Sequence, residues 1–187
     1  MALVALIIGH RESSQGAVAV DGTTEWGWAQ KHAERLARAL AHHDVDSVVV
    51  FREDRSDGYS RLPRRIDETG CDCYIALHFN SVGDSSATGS EVLYWYKSER
   101  SKRLAQEMDV ADDALGLRDR AYSGILPIHH GGRGEGVLRK PKAPGVMPEP
   151  AFGSNPSDWG ALMRHGDALA EEQAGAIVRW LRAEGKT

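Results

Sequence analysis

A chain of 187 residues suits one domain with a proper hydrophobic core and leaves little for a second. Hydrophobic residues make up 41% and charged residues 27%, a globular balance far from disordered or fibrous compositions. The net charge of −4 includes no long basic run, so nucleic-acid binding gets no electrostatic support, and no apolar run approaches the roughly 20 residues of a membrane helix.

In chain order, residues 3–9 read as the first strand. The apolar start lacks a charged n-region and is too short for a signal peptide, so the chain is expected to be made and folded in the cytoplasm. A polar loop over residues 11–24 opens onto a helix over residues 25–42, with Thr23 or Thr24 as its cap. Trp28, His32, Leu36 and Leu40 recur four residues apart and predict a buried stripe, in which His32 is a packed helix histidine. Residues 45–51, rich in β-branched side chains, predict the second strand, and residues 61–69 a helix ended by Gly70.

Cys71 and Cys73, the only cysteines, are expected to point to the same side of an extended strand, a geometry unsuited to a mutual disulfide, and read as ordinary reduced residues. The run Tyr74-Ile75-Ala76-Leu77 is an apolar strand that ends in His78-Phe79-Asn80-Ser81. After a Gly/Ser-rich loop over residues 82–90, residues 91–96 predict a fourth strand and residues 99–115 a helix stopped by Gly116. Residues 124–144 read as loop, carrying His129-His130-Gly131-Gly132 and Gly136-Val137-Leu138-Arg139. A last short strand over residues 145–147 runs into Pro148-Glu149-Pro150, and residues 157–165 and 167–182 are helical. This alternation predicts a single α/β domain: an open, twisted, mostly parallel sheet of about five to six strands with helices on both faces.

In such sheets ligands collect outside the carboxyl ends of the strands. His10 ends the first strand, Glu25 starts the first helix and His78 ends the third strand, so the three can converge from rigid elements. Two histidines and a glutamate, with a fourth position open, form a recurrent catalytic zinc set. Glu12 is a nearby acid, but Glu25 is the preferred ligand because a helix start is rigid and the loop after His10 is not.

Four separated motifs carry a resemblance: Ile7-Ile8-Gly9-His10, a glutamate fifteen residues later, Leu77-His78-Phe79-Asn80-Ser81, and Ala143-Pro144-Gly145-Val146-Met147-Pro148-Glu149-Pro150 continuing through Phe152 to Pro156. In order and spacing the chain resembles the zinc-dependent N-acetylmuramoyl-L-alanine amidases, the catalytic domains of bacterial autolysins and phage endolysins. The resemblance implies one zinc per chain on His10, Glu25 and His78, and Glu149 as the catalytic carboxylate. It implies cleavage of the amide between muramic acid and the L-alanine of the peptidoglycan stem; a monomer is assumed, and the sequence reads as one catalytic domain with no separate wall-binding domain. With no signal peptide or wall-binding module read from the sequence, an endolysin acting on the wall after release is the expected setting.

Two departures stand out. Arg11-Glu12-Ser13-Ser14 replaces the glycines that often follow the first histidine, and Glu149 is flanked by two prolines, which places its segment at a sheet edge or past a strand end. Asn80, Arg139, His129 and His130 are candidate substrate contacts, and loops 11–24, 82–90 and 124–143 the expected source of specificity. Two alternatives keep the same residues: a zinc carboxypeptidase of similar build, with Arg139 as its carboxylate pocket, and a non-catalytic domain that binds cell wall.

Overall fold

The structure, a computed structural model, describes residues 1–120 and 124–186. Six strands, β1 (Leu3–Ile8), β2 (Asp46–Phe51), β3 (Cys73–Leu77), β4 (Glu91–Trp95), β5 (Ile125–Ile128) and β6 (Gly145–Glu149), form one sheet in the order β2-β1-β3-β6-β4-β5. The β2-β1-β3-β6 block is parallel, β4 runs antiparallel to β6, and β5 is parallel to β4. The helices are α1 (Glu25–Ala41), α2 (Gly58–Glu68), α3 (Glu99–Asp112), α4 (Glu135–Arg139), α5 (Pro156–Arg164) and α6 (Gly166–Ala183).

Alternation along β1 explains why both sheet faces are covered. Val4, Leu6 and Ile8 enter one apolar layer with Trp28, Leu36 and Leu40 of α1, Leu104 and Met108 of α3, and Leu169, Ile177 and Trp180 of α6. Ala5 and Ile7 enter a second layer with Leu62 and Ile66 of α2 and Val137 and Leu138 of α4. A strand buried on both faces needs a continuous apolar run, and LVALII supplies one. Helix α1 begins as expected: the Thr24 side chain accepts from the Gly27 N–H at 3.2 Å, and the cap makes Glu25 the first helical residue.

The structure departs from the sequence reading in three places. Residues 124–144 hold β5 and α4. Pro127 interrupts the pattern of a four-residue strand, tolerated because β5 is an edge, and a five-residue helix is too short to show a 3.6 period. The segment carrying Glu149 lies inside the sheet, between β3 and β4, and is neither an edge nor past the strand end. Pro148 fits there because it opposes Val92, whose N–H is directed to Gly124 O on the β5 side; the pair asks for no ladder bond from the proline nitrogen.

On its other side β6 holds β3 only at Tyr74–Gly145 and Ile75–Val146; the strands meet again at Asn80–Phe152, β6 having used one residue more than β3. Residues 76–79 and 147–151 lie between these contacts without pairing to one another, so the two strands part at their carboxyl ends. Third, Cys71 precedes β3 and packs against the α2 layer while Cys73 packs in the opposite one, so they do not share a side; both are free thiols. Burial raises the pKa of each. Among the described residues no helix is long and apolar enough to cross a membrane.

Candidate metal centre

β1, α1 and β3 deliver three side chains to one point. His10 follows β1 with φ +66°, in the left-handed region, which turns it back over the sheet end. Glu25 comes from the first turn of α1, where Ala17 donates to its Oε2 at 3.2 Å. His78 is the first residue beyond β3. Two glycines make the approach possible. A Cβ on Gly9 would lie 2.5 Å from His78 Cε1, and one on Gly16, itself at φ +79°, would lie 2.5 Å from His10 Cδ2 and 2.7 Å from Glu25 Oε2.

His10 Nε2 lies 2.9 Å from Glu25 Oε2, and His78 Nδ1 lies 2.6 Å from Glu25 Oε1. One ligand atom from each of the three falls within 4.8 Å of the others. Glu25 is 5% exposed. Burial alone would raise its pKa; the hydrogen bonds and charge of His10 and His78 outweigh burial and hold the carboxyl down at about 2. Two imidazole nitrogens and an ionised carboxylate, on three rigid elements with glycines clearing the space around them, are a donor set that fits zinc. Glu12, the competing acid, is exposed and meets this site with no side-chain contact; its carbonyl accepts from the Gln15 side chain.

These donors open into a cavity of about 330 Å³, whose wall also includes Asn80, Arg52, Tyr59, Arg133 and Glu149. Glu149 is 5% exposed. Burial pushes its carboxyl up to about 7; Arg133 and His78 pull against that shift, and the charges of Glu91 and Glu25 reinforce it. Glu91 and Glu149 are directly opposed across β4 and β6. Like charges so placed repel, and Arg133 bridges them: one guanidinium nitrogen lies 2.9 Å from Glu149 Oε2 and another meets Glu91 Oε1. Asn80 Nδ2 and Arg120 also donate to Glu91 Oε1, at 2.6 and 2.9 Å.

The structure therefore brings together His10, Glu25, His78, Glu149 and Asn80. Asn80 is buried, and its amide is directed at Glu91. His129, His130 and Arg139 are not on the cavity wall. His129 packs against the Tyr96 ring, His130 pairs with Glu135 at 2.9 Å, and Arg139 pairs with the same Glu135 at 2.8 Å. The sequence reading missed Glu91, Arg133, Arg52 and Tyr59. Glu91 had a signal: by alternation it shares a face with Leu93 and Trp95, both core residues, and an acid at a core position of a strand needs a partner. Arg133, in a glycine-rich turn, had none.

A family profile described as N-acetylmuramoyl-L-alanine amidase matches residues 4–179. The chain is 34% identical over 179 residues to a Staphylococcus saprophyticus protein named "Probable cell wall amidase LytH", covering 94% of this chain and 55% of that protein. A Staphylococcus aureus protein of the same name is 32% identical over 154 residues, which cover 80% of this chain and 47% of its own length. The chain thus spans about half the length of the curated relatives it matches. The catalytic domain of CwlV, an N-acetylmuramoyl-L-alanine amidase from Bacillus (Paenibacillus) polymyxa, superposes with TM-score 0.83 at 23% identity, covering 97% of this chain and 99% of that one. An amidase of that name from Clostridium difficile gives TM-score 0.83 at 24% identity, with 98% of each chain covered. At these identities the structural likeness is one of fold.

Proposed function

The chain belongs to the N-acetylmuramoyl-L-alanine amidase family, and from that premise we propose that it hydrolyses the amide joining N-acetylmuramic acid to the L-alanine of the peptidoglycan stem. In this reading His10, Glu25 and His78 hold one zinc ion and Glu149 is the catalytic carboxylate. A zinc ion there would supply Lewis acidity toward the amide carbonyl and a water molecule.

The observation that carries the reading is the placement of Glu149, buried in the wall of the cavity into which His10, Glu25 and His78 open. A carboxyl pushed to about 7, in the same cavity as the three donors, can accept the proton of the attacking water and later return it to the leaving amine. Glu25, held near 2, stays ionised throughout and serves as a ligand only. Arg133 holds the Glu149 carboxylate in place, and Glu91 anchors Arg133. The carboxypeptidase alternative loses its support at Arg139, which pairs with Glu135 outside the cavity. The non-catalytic alternative leaves unexplained a buried carboxyl poised at neutral pH beside a metal-ligand set.

Digestion of purified walls tests this. New amino-terminal L-alanine should appear, vanish on chelation and return with zinc. Glu149→Gln should lower the rate by about 100-fold or more while zinc content is retained. A Glu149→Gln enzyme as fast as the native one would remove that residue from the chemistry, and lysis that survives chelation would remove the metal.

A further inference from the structure

Among the described residues, the cavity is lined by two arginines and no lysine. Arg133 is committed to Glu91 and Glu149. Arg52 has no carboxylate partner among the described residues, although the arginines near it in sequence and space do: Arg11 pairs with Asp54, Arg55 with Asp57, and Arg61 and Arg65 with Glu53. Its Nε is buried and makes no hydrogen bond. Arg11 Nε also makes no hydrogen bond, but Asp54 lies beside it; Arg52 has no such carboxylate, and an anion in the cavity would supply one.

The placement of Arg52 is built. The last β1–β2 couple is Ile8–Phe51, so Arg52 leaves β2 alongside Gly9, the residue before His10. Its guanidinium lies over the Tyr59 ring, 5.1 Å from the centroid. Tyr59 in turn packs on α4 at Gly136, where a Cβ would lie 2.9 Å from Tyr59 Cε1. A planar cation stacked on a ring held from behind is preorganised to present its edge to an anion.

The substrate decides which anion. In the amidase reading, on which this inference rests, the muramic acid side presents hydroxyl and acetamido groups, and its lactyl carboxyl is consumed in the bond to be cut. The alanine side chain is a methyl group. The first ionised group beyond the scissile amide is therefore further along the stem, and a cavity of about 330 Å³ holds only a short segment of it. We propose that Arg52, backed by Tyr59, is a specificity subsite that binds a carboxylate on the second residue of the stem peptide, so that the enzyme prefers stems with a free carboxylate there over stems carrying a carboxamide.

The test uses two muramyl peptides that differ only in a carboxylate or a carboxamide at that residue. The native chain, loaded with zinc, should cleave the carboxylate form with kcat/KM about tenfold higher or more, the scale of one charge-assisted hydrogen bond. Arg52→Gln should bring the ratio to about one, chiefly through KM on the carboxylate form, and Arg52→Lys should keep part of the preference as a point charge. The native ratio is read without any variant, so a misfolded Arg52→Gln protein does not shield the idea. Equal cleavage of the two peptides by the native chain, or an unchanged ratio in a folded Arg52→Gln protein, overturns the subsite and leaves the amidase standing. Preferred cleavage of the same stem without muramic acid makes Arg52 the terminal-carboxylate pocket of a peptidase and also overturns it. Failure to release amino-terminal alanine from whole walls is failure of the amidase reading, and the subsite falls with it.

Discussion

Two glutamates share one cavity, are equally buried, and have opposite proton affinities. Glu25 sits between two imidazoles and is held at about 2; Glu149 sits opposite Glu91 and is pushed to about 7. Environment alone separates a candidate ligand from a candidate proton carrier. Arg133 is the lever on the second, because its charge opposes the upward shift. Removing that charge in Arg133→Gln raises the pKa of Glu149 further. If the carboxylate form takes the proton from water, the acid limb of the kcat/KM profile moves to higher pH, and activity falls more at pH 6 than at pH 8. A profile that drops equally at every pH would make Arg133 a structural residue only.

At the scale of elements, α1 carries a candidate-site residue at its start and a structural pair in its middle. Thr24 caps the helix and so places Glu25, while His32 one face along is fully buried, stacked on Trp28 and 2.7 Å from Gln173 Oε1 of α6. Burial lowers the His32 pKa to about 4, against a smaller opposing effect of the Gln173 hydrogen bond. The unfolded chain takes up this proton near the ordinary 6.5 and the folded chain only near 4, so stability is lost as pH falls across that window. The pair also leaves His32 Nδ1 and Gln173 Nε2 without partners. A double variant, His32→Phe with Gln173→Leu, should therefore be about as stable as the native chain at pH 7.5 and more stable at pH 5. Denaturant unfolding at the two values checks it; an undiminished loss between them would assign the acid sensitivity elsewhere. In β6, the same proline pair that suggested an edge falls in the stretch that does not pair with β3, where no ladder bond to β3 is asked of either nitrogen.

For the whole molecule, two apolar layers hold a sheet that parts at one place, and the candidate site lies at that parting. The three donors arise from β1, α1 and β3, far apart in sequence, so a metal ion would bind the folded chain and scarcely the unfolded one. Zinc at a hundredfold excess over its Kd should add about 2.7 kcal/mol. For a chain of this length that is a rise in Tm of roughly 5–10 °C. Calorimetry with and without zinc reads this directly, and His78→Ala should abolish it. An equal Tm in both conditions would mean that the three side chains pair with one another and bind no metal.

Much of this was legible in the sequence because it depends on local pattern. Apolar runs and the α1 stripe marked five of the strands and most helices, and chemistry at element ends pointed to His10, Glu25 and His78, with Glu149 added by the family resemblance. What only the tertiary structure decided depends on partners distant in the chain. β5 and α4 are too short to carry a period and exist because β4 and α2 cover them. Glu91 and Arg133 acquire meaning from each other and from Glu149, and Arg52 becomes notable only when every neighbouring arginine is seen to be paired. Periodicity reports which side of an element is apolar; it holds no information about which charge lies across the sheet, because that is set by strand order and register.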